Sequence, residues 1–470
     1  MHPRRVFLAA VLLGGLGACF VQRNESETTV PYAAKAERVP DFAALASGRT
    51  RAGEASSRRA ASRILLERVT AGVPWPRGLA WVDGRLLVLA RGRHRRAGGI
   101  DPRIPDQCGT LLIVDPDVAE PVVAGKPASD KVRRNAKLLA PPQGPPFQLY
   151  DGRDDPSSDT RLDRPYCTLI YDPGSRNLIL CGYSGVDLPG ARFRKNATDS
   201  IHRYDLRSKR WYAVEMHDAS VVPPEKLGYV VPNQYYPHHD PLASPPPHGW
   251  LNGPDGGCVA GRFLYCVGKD NHSVVQYDLK EIDADPDAGP PESRLVLGPR
   301  VRVRHPGGEE EMELLGPSAA AVFGRYLYLG YRTSSVVVRL RIDAEGRILE
   351  PAVGELIAVF EPWDAERKRS ANLIDIAFNG SGELFVSCAK EGRIWRVGRP
   401  DPERVFNGND QGARPTSAAP YIDLRRYTGK KTGCGNILFD DRDRLYICVG
   451  NYDAGPTLAG AVYRATEESE

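Results

Sequence analysis

The chain of 470 residues has no excess of charge of either sign: 63 basic against 59 acidic side chains leave +4. Such a balance builds no basic stripe for a phosphate backbone and no DNA- or RNA-reading motif accompanies it, so nucleic acid is not an expected partner. Beyond the N-terminal leader, no apolar run approaches the ~18–20 residues that a membrane helix needs. Helical spacing of apolar residues is nearly absent, which leaves strands as the main element. Also missing are a Gly-rich phosphate loop, a C-x-x-C-H haem attachment, an H-E-x-x-H and a G-x-S-x-G elbow. Those absences remove the familiar nucleotide, haem, zinc-protease and serine-hydrolase sites.

What is present begins with "MHPRRVFLAAVLLGGLGAC": Arg4 and Arg5, an apolar stretch from Val6 to Leu16, then small residues to Cys19. That is a basic n-region, an h-region too short to span a bilayer, and a cleavage zone. Leu16-Gly17-Ala18-Cys19 resembles the bacterial lipobox, in which cleavage precedes a Cys that is then acylated; the plainer alternative is a secretory leader with Cys19 incidental. Residues 19–60 are polar, small and aperiodic, and read as a flexible tether. The expected product is a lipoprotein with a signal peptide at 1–18, held to the membrane by its N-terminal lipid. Its address is the bacterial cell envelope, facing periplasm or exterior, where cysteines are read as disulfides.

From about residue 61 to 468 one phrase recurs: an apolar run, a turn with Gly or Asp, a second run, then a third. It appears as "RGLAWVDGRLLVLARG", "CTLIYDPGSRNLILCGY", "GGCVAGRFLYCVG", "AAAVFGRYLYLGY", "LIDIAFNGSGELFVSCA" and "GCGNILFDDRDRLYICVG". Third strands follow in "GTLLIVD", "SIHRYDL", "SVVQYDL", "VVVRLRI", "GRIWRVG" and "GAVYRAT". A lone sheet exposes both faces and stacking sheets radially covers them, so the pattern predicts an all-β, six-bladed β-propeller with four-stranded blades, in one domain. "RILLERVT" from Arg63 belongs to no unit, and the last unit lacks a fourth strand. The N-terminal strand is therefore expected to close the ring.

Pairing Tyr171 with Asn177 around the turn "DPGSR" sets Cys167 opposite Cys181, at the Cα separation of about 4.5–5.5 Å that suits a disulfide. Cys434 and Cys448 repeat the same spacing of fourteen. Two staples, Cys167 to Cys181 and Cys434 to Cys448, are therefore expected. Cys258 and Cys266 fit a third only in a shifted register, because the turn at Ala260-Gly261 sets Cys266 opposite Asp255. Cys108 and Cys388 are expected to be free or buried as small hydrophobes.

The first strands of a propeller line its channel, and their starts surround one mouth: Arg77, Cys167, Asn252 to Asp255, Ser318, Asn372 to Asp375, and Cys434 to Asn436. "HHDPLASPPPHGWLNGPDGG", from His238, enters the third unit and sets His238, His239, Asp240 and His248 above that mouth, after Tyr235 and Tyr236. Ligand-binding candidates are Arg77, Asn252, Ser318, Asn372, Asn436, Tyr235 and Tyr236. Oxygen ligands from Asn252, Asp255 and Asp375 suit a divalent cation such as calcium, whereas His238, His239, His248 and Asp240 suit zinc. The plain reading is a proline-stiffened loop that caps the channel. Asp255, His238 and His239 are the catalytic candidates, and His and Tyr beside Arg also fit proton abstraction from a uronate. "RGRHRRAGG", from Arg91, is a solvated basic loop or an anion-binding lip; "DGRDDPSSDTRLD", from Asp151, lacks the EF-hand register.

"NGPDGGCVAGRFLYCVG" and "IAFNGSGELFVSCAKEGRIWRV" resemble the strand-turn-strand phrase of the six-bladed propellers in the SMP-30, gluconolactonase and NHL-repeat group. The resemblance implies a divalent cation at the mouth, held by a first-blade Glu, Asn side chains, and an Asp that also acts as base on a lactone. Asn252-Gly253 matches that group's Asn-Gly phrase. Arg77 stands where the Glu is expected and Ser318 where an Asp is expected, and a cation in place of a carboxylate opposes metal binding. Three functions follow: a lipid-anchored propeller that binds a small-molecule, glycan or protein ligand at its mouth, a metal-dependent lactonase or hydrolase, and a glycan lyase.

Overall fold

A strand covered on both faces reads as a continuous apolar run, and "RLLVLA", "NLILCG", "FLYCVG" and "LYICVG" are such runs. The computed structural model describes residues 64–90, 109–140, 166–182, 200–216, 253–269, 272–284, 293–360, 371–389, 392–408, 420–429, 432–450 and 460–468. In it Asn177–Gly182, Phe263–Gly268 and Leu445–Gly450 are buried at every position, and Arg85–Ala90 at all but Arg85. The three described helices, Asp130–Arg133, Leu279–Ala284 and Leu424–Thr428, are short and peripheral to the strand order. The architecture is an all-β propeller.

Among the described residues the strands gather into six sheets. The first runs Pro76–Val82, Arg85–Ala90, Thr110–Val114, Ala136–Ala140, and the second Tyr166–Asp172, Asn177–Gly182, Ser200–Asp205, Trp211–Met216. The third runs Pro254–Ala260, Phe263–Gly268, Ser273–Asp278, Ser293–Leu297, and the fifth Leu373–Phe378, Leu384–Cys388, Arg393–Gly398, Ile422–Asp423. The fourth, from Pro317–Phe323 through Tyr326–Tyr331 and Val336–Arg341 to Val353–Val359, is widened by a hairpin of Arg300–His305 and Gly308–Glu313. In that hairpin Arg300 faces Glu313, Arg302 faces Glu311 and Arg304 faces Glu309, while Val301, Val303 and Met312 are buried beneath. The sixth sheet, Gly433–Phe439, Leu445–Gly450 and Gly460–Glu467, continues into Ile64–Val73, which pairs antiparallel with Gly460–Glu467.

The apolar cores lie between sheets. Leu87 and Leu111 of the first meet Leu178 and Tyr204 of the second; Ile179 of the second meets Leu264 and Val275 of the third. Tyr265 of the third packs with Leu329 of the fourth, Tyr328 of the fourth with Leu373 and Trp395 of the fifth, and Phe385 of the fifth with Ile447 of the sixth. Tyr446 and Val462 of the sixth return to Leu86 and Val88 of the first. Accordingly the first strands neighbour one another in a closed circuit: Pro76–Val82, Tyr166–Asp172, Pro254–Ala260, Pro317–Phe323, Leu373–Phe378, Gly433–Phe439, and back to Pro76–Val82.

Each of these six strands slips register near its start: between Pro76 and Gly78, Tyr166 and Thr168, Pro254 and Gly256, Pro317 and Ala319, Leu373 and Asp375, and Cys434 and Ile437. A bulge of this kind leaves the extra residue outside the ladder and re-aims its side chain. The slip overturns both expected disulfides. Cys181 faces Thr168, because Cys167 is the bulged residue, and Cys434 faces Val449, not Cys448. No disulfide joins any of the seven cysteines among the described residues. In the third sheet Cys266 opposes Gly257, two positions from the expected Asp255, and Cys258 opposes Tyr265.

The bulges also bring backbones into close approach. A Cβ on Gly256 would lie 2.3 Å from the carbonyl oxygen of Ser318 in the next sheet, and one on Gly78 would lie 2.6 Å from Leu169. Replacing Gly256 with alanine therefore forces the third and fourth sheets apart, and a loss of about 1–3 kcal/mol is expected. Urea unfolding should show a lower midpoint at unchanged slope.

Candidate functional site

The bulged residues include Arg77, Cys167, Asp255 and Ser318, which are the positions the repeat alignment puts at the mouth. Arg77 Nη2 lies 3.4 Å from Asp255 Oδ1, with both side chains almost wholly buried. The first and third sheets are not neighbours in the circuit, so this ion pair reaches across the axis. The Cys167 thiol of the intervening sheet hydrogen-bonds to the same carboxylate. Arg332, which follows the second strand of the fourth sheet, places Nη1 3.8 Å from Asp255 Oδ2 and donates from Nε to Asn372 Oδ1. Its side chain keeps 17% exposure, against 3% for Arg77.

The circle continues through the fifth and sixth sheets. Ser318 Oγ donates to the Leu373 carbonyl at 2.8 Å. Asp375 accepts from two backbone amides, Ile376 on Oδ1 and Ile437 on Oδ2, each at 2.9 Å. The Asn436 amide, oriented with its nitrogen toward the Arg77 and Cys167 carbonyls, donates to both, and its other end meets the Thr168 hydroxyl. Backbone of the first two sheets is thereby tied to the sixth.

The two carboxyl groups are shifted in opposite directions. Burial would raise the pKa of Asp255, but the charges of Arg77, Lys269 and Arg332 and the hydrogen bond from Cys167 outweigh it and hold the group below the usual carboxylate range. For Asp375 burial prevails: it pushes the carboxyl up to about 7, against the pull of its two backbone amide donors and of Arg77. One firmly ionised carboxylate thus faces three cations. Ion pairs of this kind persist in a dry interior only when each charge is matched by close partners.

Among the described candidates, Arg77, Asp255, Asn372, Asp375, Ser318 and Asn436 all stand in this set of contacts between sheets. Of the expected calcium ligands, Asp255 is engaged by arginines, Asp375 by backbone amides, and Asn252 lies outside the described residues; no group of three His, Cys, Asp or Glu side chains suited to a metal occurs among the described residues. Asn252, Tyr235, Tyr236, His238, His239, Asp240, His248, Cys19, Cys108 and the stretches from Arg91 and from Asp151 lie outside the described residues. Arg332 and Lys269 were not expected at the site. Their signal is a cation just after the second strand, which recurs in the sequence as Arg91, Lys269, Arg332 and Lys390.

No family model matches the chain, and no curated protein does. Among solved structures the chain is similar to a luciferin-regenerating enzyme, at 10% identity over 86% of this chain and 95% of that one, with a TM-score of 0.44. A gluconolactonase from Xanthomonas campestris matches at 12% identity over 87% and 90%, with a TM-score of 0.40. A streptogramin B lyase matches at 9% over 86% and 98%, also at 0.40.

Removing one partner of a buried pair leaves the other charge uncompensated, at a cost of about 3–5 kcal/mol. Asp255→Asn should therefore destabilise strongly, and adding Arg77→Met should recover part of the loss. Because the folded pKa of Asp255 is depressed, its contribution is present above the unfolded value of about 4 and disappears as pH falls through the folded value. Acid titration of unfolding free energy should be shallower in Asp255→Asn than in the parent.

Proposed function

We propose that this chain is an exported, lipid-anchored propeller whose axial site binds an anionic group, such as a carboxylate or sulfate on a small molecule or glycan. The six sheets are read as the blades of one ring, with Ile64–Val73 closing it against Gly460–Glu467. Export and lipid attachment rest on Arg4, Arg5 and the Leu16-Gly17-Ala18-Cys19 phrase; the envelope address follows from them. The observation that carries the binding reading is the charge count at the axis: Arg77, Lys269 and Arg332 act on the single low-pKa carboxylate of Asp255. Positive charge gathered in a poorly solvated site attracts an anion and disfavours a divalent metal. Arg332, the more exposed of the two arginines, is the group placed to fork onto a planar anion.

Calorimetry and thermal shift on the leaderless protein test this. Gluconate, glucuronate or sulfate should bind and raise the unfolding midpoint, with affinity falling as salt rises, while calcium should do neither. Loss of one charge-assisted contact in Arg332→Met should weaken binding about tenfold or more. Stabilisation by calcium without any response to the anions would overturn the reading.

One observation favours catalysis as a second reading. A carboxyl titrating near 7 is matched to general-base work at neutral pH, and Asp375 is such a group. On that reading lactone hydrolysis needs no metal, its rate rises with pH through about 7 as Asp375 loses its proton, and Asp375→Asn abolishes it. A rate indifferent to that substitution would remove Asp375 from the chemistry.

A further inference from the structure

Asn177–Gly182 and Phe263–Gly268 are the second strands of adjoining sheets, and each carries a cysteine on the face that meets the other. Cys181 Sγ and Cys266 Sγ lie 3.6 Å apart, and both residues are fully buried. Within its own sheet Cys181 stands opposite Thr168 and Ile201, and Cys266 opposite Gly257 and Val275. The missing side chain of Gly257 makes room there: a Cβ at that position would sit 3.4 Å from Cys266 Sγ and 2.9 Å from Ile170 Cδ1. Ile170, Ile179, Ile201, Leu264 and Val275 complete the apolar cluster around the pair.

We propose that Cys181 and Cys266 are a cross-linking site, oxidised to a disulfide that joins the second and third sheets when the chain folds in the presence of a disulfide oxidant. Reaching a bond length of about 2.05 Å from the observed gap takes a shift of about 0.8 Å by each sulfur, within reach of small side-chain rotations. In the first step one cysteine loses its proton, and its thiolate attacks a sulfur of the oxidant, forming a mixed disulfide and releasing one thiol. In the second, the other cysteine gives up its proton and displaces the remaining oxidant thiol. Two cysteine thiols are oxidised and one oxidant disulfide is reduced to two thiols.

The burial sets the timing. Oxidant reaches the pair while the two sheets are still separate, and once they close the bond is shielded from reductant. The link spans 85 residues and crosses a packing interface, unlike a staple within one hairpin. A loop of that size removes more freedom from the unfolded chain than a fourteen-residue one.

The test is to refold the leaderless protein in oxidised and reduced glutathione, alkylate free thiols in denaturant, and map the digest without reduction by mass spectrometry. The expected product is a single peptide pair joined through Cys181 and Cys266, with two fewer alkylated thiols than in dithiothreitol-treated protein and a higher thermal midpoint. Cys181→Ser and Cys266→Ser should each abolish the joined peptide and the midpoint difference; Cys181→Ala with Cys266→Ala serves if a serine variant does not fold. Recovery of both cysteines alkylated from correctly folded, oxidised parent protein overturns the proposal, as does a joined peptide in which Cys181 is paired with Cys167 or any other cysteine.

Discussion

No sheet in this molecule can cover its own faces. Each second strand is apolar on both sides, and among the described residues the surfaces that bury it are those of the sheets before and after. The result is six cores, each shared by two neighbours and each wedge-shaped because the sheets converge on one axis. A substitution at any one interface is therefore felt by two sheets at once. That mutual covering also fixes where the six first strands must go, since they are the narrow edges of the wedges.

At those narrow edges the recurrent bulge does the chemical work. A regular ladder would send alternate side chains into the two flanking cores; one extra residue breaks the alternation, and in the first, third and fourth sheets that residue is the polar Arg77, Asp255 or Ser318. Arg77 and Asp255 arrive there from sheets that do not touch through their cores, and desolvation forces them to find each other. The same burial acts differently on Asp375, which meets amide donors rather than a close guanidinium and has its pKa pushed up to about 7. Two aspartates that look alike in the sequence thus carry different charge because of what each bulge sets beside it.

Much of this was legible in the chain. The repeat phrase marked the first strands and their starting residues, so Arg77, Ser318, Asn372, Asp375 and Asn436 could be named before any geometry. Register was not legible: counting across a turn assumes an unbroken ladder, and one inserted residue moved Cys167 and Cys434 off their supposed partners. The recurring triplet of Pro, a variable residue and a small residue, in Pro76-Arg77-Gly78, Pro254-Asp255-Gly256 and Pro317-Ser318-Ala319, is the trace of that insertion. Proline lacks the amide a ladder needs, and the small residue admits the neighbouring backbone. Arg332 and Lys269 follow second strands and so fell outside the alignment of first-strand starts, which offered oxygen ligands for a divalent cation but not these two positive charges.

The hairpin on the fourth sheet has a consequence for how copies of the protein behave toward one another. Among the described residues its outer strand, Gly308–Glu313, ends the sheet, and such a terminal strand is the usual seed of intermolecular β-pairing. Here Glu309, Glu310 and Glu311 line that rim, each exposed, with the arginines of the inner strand alongside. A second copy approaching in the same orientation would press acid against acid and strip water from both. Charge of one sign along that strand thus opposes pairing between copies of a sheet-rich molecule.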